Sequence, residues 1–223
     1  MSKMALEIRH LPSFFGTDKS NATVFAEIIR FYLPPGQGRR ILDATAGKRR
    51  FWENVQSSLF NPSAPYDVVF MDIKDRPNMD VIADCQLLPF KPRTFDAVIY
   101  DPPFGGKGQG GMARGDFTYS WQENDVSYGF DITTAQLEQM TRRFCVEAAR
   151  VLKRGGLLIT KCMDLGRKFI HIEIINWLPH FRMIDCIIYA VSTDKPLRPY
   201  TRRNLRQSHK LHNYFQVWKR RID

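Results

Sequence analysis

Four short apolar runs, each ending in an aspartate, constrain this chain more than any other feature. Ile41-Leu42 leads into Asp43, Val68-Val69-Phe70-Met71 into Asp72, Val81-Ile82-Ala83 into Asp84, and Phe95-Asp96-Ala97-Val98-Ile99-Tyr100 into Asp101. Apolar runs of this length, bounded by turn residues, read as buried strands. Segments of helical period alternate with them. Asn21 to Tyr32 places Val24, Phe25, Ile28, Ile29 and Tyr32 on one face and is stopped by Pro34-Pro35-Gly36. Ala135 to Lys153 does the same with Leu137, Met140, Phe144, Ala148 and Val151, with Thr133-Thr134 as its cap and Gly155-Gly156 as its end. A further strand at Leu157–Thr160, a helix over Ile170–Leu178, and strands near Met183–Val191 and Tyr214–Lys219 complete the pattern.

This alternation predicts an α/β fold: a seven-stranded, mostly parallel sheet with helices on both faces and an antiparallel C-terminal strand pair. In such sheets ligands bind beyond the carboxyl ends of the strands, so Asp43, Asp72, Asp84 and Asp101 are expected together on the binding edge. With 223 residues the chain suits one buried core, and residues 1–223 are expected to form a single domain that carries cofactor and substrate alike.

The run Asp43-Ala44-Thr45-Ala46-Gly47 is a small-residue turn through which backbone can approach a ligand. A helix is expected after it. A carboxylate at the end of the next strand, Asp72, suits ribose hydroxyls. Lys48-Arg49-Arg50 stands where a dinucleotide fingerprint would continue with glycine, and Gly47-Lys48-Arg49 is no Walker motif. These departures exclude a nicotinamide oxidoreductase and a P-loop ATPase.

Charge and cysteine usage narrow the class further. Thirty-three Lys and Arg against 23 Asp and Glu give +10, a balance that attracts a polyanion, with nucleic acid the expected partner. Cys85, Cys145, Cys162 and Cys186 are widely separated, which argues against a zinc site or a disulfide framework and leaves no metal expected. No apolar run approaches the ~20 residues of a membrane helix, and the N-terminus carries no signal core. The expectation is a reduced, cytoplasmic protein with no membrane partner.

The most specific feature is Asp101-Pro102-Pro103-Phe104 after a buried strand. Here the sequence resembles the amino-methyltransferases of DNA and RNA, whose catalytic motif is Asp/Asn-Pro-Pro-aromatic, and the resemblance spans most of the chain. It implies a Rossmann-like fold, S-adenosylmethionine as cofactor, and Asp101, Pro102, Pro103 and Phe104 as catalytic residues. Asp18 to Ile29 looks like the family's N-terminal cofactor motif, implying contacts at Thr17, Asp18 and Lys19. Ile41 to Gly47 resembles its first strand turn, implying contacts at Asp43, Ala44, Thr45, Ala46 and Gly47. Asp72 with Ile73 resembles its ribose position, and Asp84-Cys85 its adenine contact. His212 to Lys219 is similar to the final strand of many DNA members. The order, cofactor turn before tetrapeptide, resembles adenine-N6 enzymes more than most cytosine-N4 enzymes.

Physical chemistry supports the tetrapeptide independently. The lone pair of an aromatic amine is delocalised into its ring, so attack on a methyl needs acceptors that draw the nitrogen toward tetrahedral geometry. Asp101 and the Pro102 carbonyl suit that task, two prolines preposition them, and Phe104 suits stacking on an extruded base. Polymer contacts are expected from Lys107 and Arg114 in the glycine-rich loop and from Arg198, Tyr200, Arg202, Arg203, Arg206 and Lys210 in the basic C-terminal connection. DNA is the first expectation. Structured RNA stays open because the chain has little room for a target-recognition domain. Methylation of a protein glutamine and a non-catalytic nucleic-acid-binding module are the rival readings, and Asp101 weighs against both.

Overall fold

The computed structural model describes residues 10–34, 38–55, 66–103, 133–164, 168–190 and 212–221. In chain order the elements are β1 (Phe14–Phe15), α1 (Asn21–Tyr32), β2 (Arg39–Asp43), a 3-10 helix (Arg50–Asn54), β3 (Tyr66–Asp72), β4 (Val81–Ile82), β5 (Phe95–Tyr100), α2 (Thr134–Val151), β6 (Leu152–Met163), α3 (Ile170–Trp177), β7 (Phe181–Ala190) and β8 (His212–Arg220). The strands form one sheet in the order β1-β7-β8-β6-β5-β2-β3-β4. The seven expected strands are all present, and the two-residue β1 adds an eighth at the β7 edge. β2 pairs in parallel with β3 and β5, and β5 with β6. β8 is antiparallel to β7, as expected, and also to β6, so the last strand is inserted between two earlier ones.

Alternation along each strand splits the core in two. Leu42, Val98, Tyr100, Leu158 and Cys162 face α2 and α3. Ile41, Val68, Phe70, Ala97, Ile99 and Ile159 face α1 and the 3-10 helix. A period of two with both faces apolar is what a covered parallel strand requires. Helices α1 and α2 begin where their caps dictate. The Ser20 side chain accepts the Thr23 N–H at 3.1 Å to start α1. Thr133 and Gln136 form a reciprocal capping box at the start of α2.

Two local expectations need correction. The glycine pair does not end α2, which stops at Val151; β6 follows at once and contains Gly155-Gly156. Five residue steps from Leu152 to Leu157 there oppose two from Phe95 to Ala97, so the pair lies in an irregularity of the β5–β6 ladder. Gly155 has φ +71°, and a Cβ at Gly156 would meet Leu152 Cδ2 and the Lys153 carbonyl at 3.0 Å. After Gly47 the chain forms the 3-10 helix rather than an immediate α-helix, because Gly47 and Arg49 both take left-handed φ, +53° and +57°.

Candidate active site

The chain order reverses direction across the sheet between β2 and β5: β3 and β4 lie to one side of β2, whereas β5 and β6 lie to the other. A crevice opens at the carboxyl ends of strands at such a switch point. β2 ends at Asp43, β3 at Asp72 and β5 one residue before Asp101, while Asp84 follows β4 by two. The four expected carboxylates therefore do share one edge, at the point where a ligand is expected.

The turn after β2 is pinned from both neighbouring strands. The Ala44 N–H donates to the Ile99 carbonyl of β5 at 3.1 Å, and the Ala46 N–H to the Met71 carbonyl of β3 at 2.9 Å. Gly47 donates its N–H to Asp72 Oδ2 at 2.9 Å, and Lys74 N–H donates to Asp72 Oδ1 at 2.9 Å. Arg76 approaches Asp72 Oδ2 at 3.7 Å. Asp84 Oδ1 accepts the Gln86 N–H at 2.8 Å. Ile73 is half exposed beside Asp72, while the Cys85 thiol is buried and pushed up to about 12, so it stays neutral.

Asp43 is different in kind. It is 2% exposed, and both its oxygens are engaged, Oδ2 by the Trp52 indole N–H at 2.8 Å and Oδ1 by the Thr45 N–H at 3.3 Å. Burial raises its carboxyl to about 7, against the lowering effect of the Trp52 and Thr45 bonds. Its carboxylate braces the turn from inside.

Asp101 stands across the crevice. Its backbone N–H donates to Thr45 Oγ1 at 2.7 Å, which ties the start of the Asp-Pro-Pro segment to the turn after β2. Its side chain is part-buried, and Oδ2 accepts from Lys161 Nζ at 3.4 Å. Burial pushes the carboxyl above the ordinary range, and Lys161 pulls it back in part. The Lys161 ammonium also lies 5.2 Å from the centre of the Phe51 ring. Trp52, Phe51 and Lys161 were not anticipated from the sequence. A lysine inside the apolar run of β6 was the available signal, since a buried ammonium demands a partner.

Thr17, Asp18 and Lys19 lie on the same edge but after β1, with four strands between β1 and β2 in the sheet. The Tyr189 hydroxyl holds the Lys19 carbonyl at 2.8 Å. One turn into α1, Thr23 Oγ1 accepts from Asn54 Nδ2 at 3.1 Å, linking this segment to the end of the 3-10 helix. Phe104, Lys107, Arg114, Arg198, Tyr200, Arg202, Arg203, Arg206 and Lys210 lie outside the described residues.

No protein-family model and no curated protein matches the sequence. Solved structures do match the fold. A SAM-dependent methyltransferase from Methanosarcina mazei superposes with a TM-score of 0.53 at 14% identity, over 88% of this chain and 98% of that one. TrmN from Thermus thermophilus gives 0.53 at 13% identity, over 89% of this chain, which spans 48% of TrmN. The N-methyltransferase NodS from Bradyrhizobium japonicum, solved with S-adenosyl-L-homocysteine, gives 0.50 at 10% identity over 88% and 85%. The fold of this chain is that of the SAM-dependent methyltransferases.

Proposed function

We propose that the chain transfers a methyl group from S-adenosylmethionine to an exocyclic base amine in nucleic acid, with adenine N6 in DNA as the first substrate. The observation that carries this reading is Asp101-Pro102-Pro103 at the carboxyl end of β5, facing the turn after β2 and bonded to it through Thr45. One unit would then hold cofactor and substrate on either side of the switch point.

The edge residues fit the cofactor. Asp72 Oδ2 takes the Gly47 N–H and lies near Arg76, whereas Oδ1 takes the Lys74 N–H alone, and since each carboxylate oxygen has about two lone-pair sites, Oδ1 keeps an acceptor for a ribose hydroxyl. The exposed part of Ile73 offers an apolar face to an adenine, and the Asp84 carboxylate an acceptor for its amino group. The turn from Ala44 to Gly47 brings backbone, without large side chains, to the same place. S-adenosylmethionine, when bound, supplies a methyl carried on a sulfonium.

The chain's own share is to prepare the amine. Asp101 accepts one amine hydrogen and the Pro102 carbonyl the other, which localises the nitrogen lone pair for attack. Burial raises the proton affinity of Asp101, which suits a group that accepts the amine's hydrogen bond and then takes the proton the methylated nitrogen sheds. The ring of Pro102 fixes its φ, and that of Pro103 restricts Pro102 to extended geometry, so the acceptors need no reorganisation. The net charge of +10 favours a polyanionic substrate.

The test is transfer of radiolabelled methyl to separate pools of DNA and RNA, followed by nucleoside analysis. Label in N6-methyladenine of DNA is the expected result. Label confined to RNA would move the polymer, label in N4-methylcytosine would move the base, and no label in either pool would overturn the reading.

A further inference from the structure

Lys161 occupies an unusual place. It follows Thr160, which is registered opposite Tyr100, so it lies beside Asp101 where β5 ends, two residues before the end of β6. Its side chain is 10% exposed. Burying an ammonium is costly unless it is paired, and a buried ion pair is often no more stabilising than an apolar replacement. Stability alone therefore gives a weak reason for a lysine here. The partner it has taken is the carboxylate at the head of the tetrapeptide, and Nζ stands 3.4 Å from Oδ2.

The ammonium is itself held. It lies over the ring of Phe51, in the 3-10 helix that follows the turn, and Phe51 is packed against Phe25 of α1 and Phe215 of β8. Asp101 is thus fixed at two atoms by two elements, its backbone nitrogen by Thr45 and its Oδ2 by Lys161.

We propose that Lys161 is a positioning residue for methyl transfer: it holds Asp101 Oδ2 and favours the carboxylate form, which leaves Oδ1 to accept the amine hydrogen. The inference rests on the reading of Asp101 as the amine's acceptor. Lys161 is the charged group that acts on Asp101, and Asp101 in turn raises two neighbouring groups, Asp43 of β2 and Cys162 of β6. The buried Cys162 thiol is raised well above its ordinary value and stays neutral, and burial raises the Asp43 carboxyl as well. Lys161 is the cation in that set.

The experiment follows the Asp101 carboxyl carbon by NMR across a pH series, with 13C-labelled aspartate and Asp101→Asn for assignment, in the wild type, Lys161→Met and Lys161→Arg. Methyl transfer is measured over the same pH range. Removing the cation is expected to move the Asp101 titration upward by about 1 to 3 pH units. The acid limb of turnover should move with it while S-adenosylmethionine affinity stays within about twofold, and Lys161→Arg should restore most of both. If Lys161→Met does not fold, Lys161→Gln, which keeps a donor without the charge, serves with the same readout. An unmoved Asp101 titration in the uncharged variant overturns the inference, as does an arginine variant no better than methionine. The titration reads the pair without turnover, so it separates this failure from that of the functional reading, which shows as undiminished turnover in Asp101→Ala.

Discussion

The carboxylates on the two sides of the switch point are held in different ways. On the β2–β4 side, Asp72 and Asp84 take backbone N–H donors from residues two positions ahead, and Asp43 does the same from Thr45. Such Asx-type bonds shape the loops locally, and Asp72 adds one bond from Gly47 of the neighbouring turn. On the β5–β6 side, Asp101 is held by a side-chain cation 60 residues away in sequence. The first arrangement builds a rim from local backbone donors; the second ties a carboxylate to a distant cation, and under the proposed function this is the side that meets the reacting amine. Position along one sheet edge does not by itself assign a role. We propose that the donors around each carboxylate do.

The largest effect should come from the side held by the Lys161 cation. Asp101→Ala is expected to lower methyl transfer on the order of 10² to 10³-fold, the scale seen when one preorganised group facing the transition state is removed. Unchanged single-turnover rates would erase the distinction between the two sides.

The next effect is a pH dependence of stability on the rim side. Burial raises the Asp43 carboxyl in the folded protein to about 7, above its unfolded value, so the folded state binds the proton more tightly. The stabilisation from Asp43 is fully present below about pH 4 and is lost as pH rises through about 7, with a slope of at most about 1.4 kcal/mol per unit. Urea unfolding of the wild type and Asp43→Asn across pH 4 to 8 should show this slope only with the aspartate. Parallel curves would show that Asp43 is not protonated in the fold.

A smaller effect joins the two regions. Thr45→Val removes the acceptor of the Asp101 N–H, and a net hydrogen bond of about 0.5–1.5 kcal/mol corresponds to roughly a two- to tenfold fall in turnover. Cofactor affinity should change less than turnover. The reverse would place Thr45 wholly on the rim side.

Local signals were legible in the sequence. The limits of α1 at Asn21 and Tyr32, the Thr133 cap, and the strands ending at Asp43, Asp72 and Tyr100 depend on neighbours within a turn or on apolar period. Features set by distant pairing were not. The glycine pair at 155 and 156 looks like a helix end until the opposing Asp96 carbonyl, 3.1 Å from a Cβ at Gly156, shows why side chains are excluded there. The insertion of β8 between β6 and β7 depends on two antiparallel ladders that no local run encodes. The Trp52–Asp43 and Lys161–Asp101 pairs were missed for the same reason. The sequence displays the charge in an apolar strand and the tryptophan after the turn, but not what each meets.

The division of the edge is tested most directly by calorimetric titration of S-adenosylmethionine into the wild type, Asp101→Ala and Asp72→Ala. The account predicts near-equal affinity for the first two and about tenfold weaker binding for Asp72→Ala, the loss of roughly 1.4 kcal/mol of ribose hydrogen bonding. Normal affinity in Asp72→Ala together with lost binding in Asp101→Ala would contradict it, because the cofactor would then sit on the side assigned to the amine.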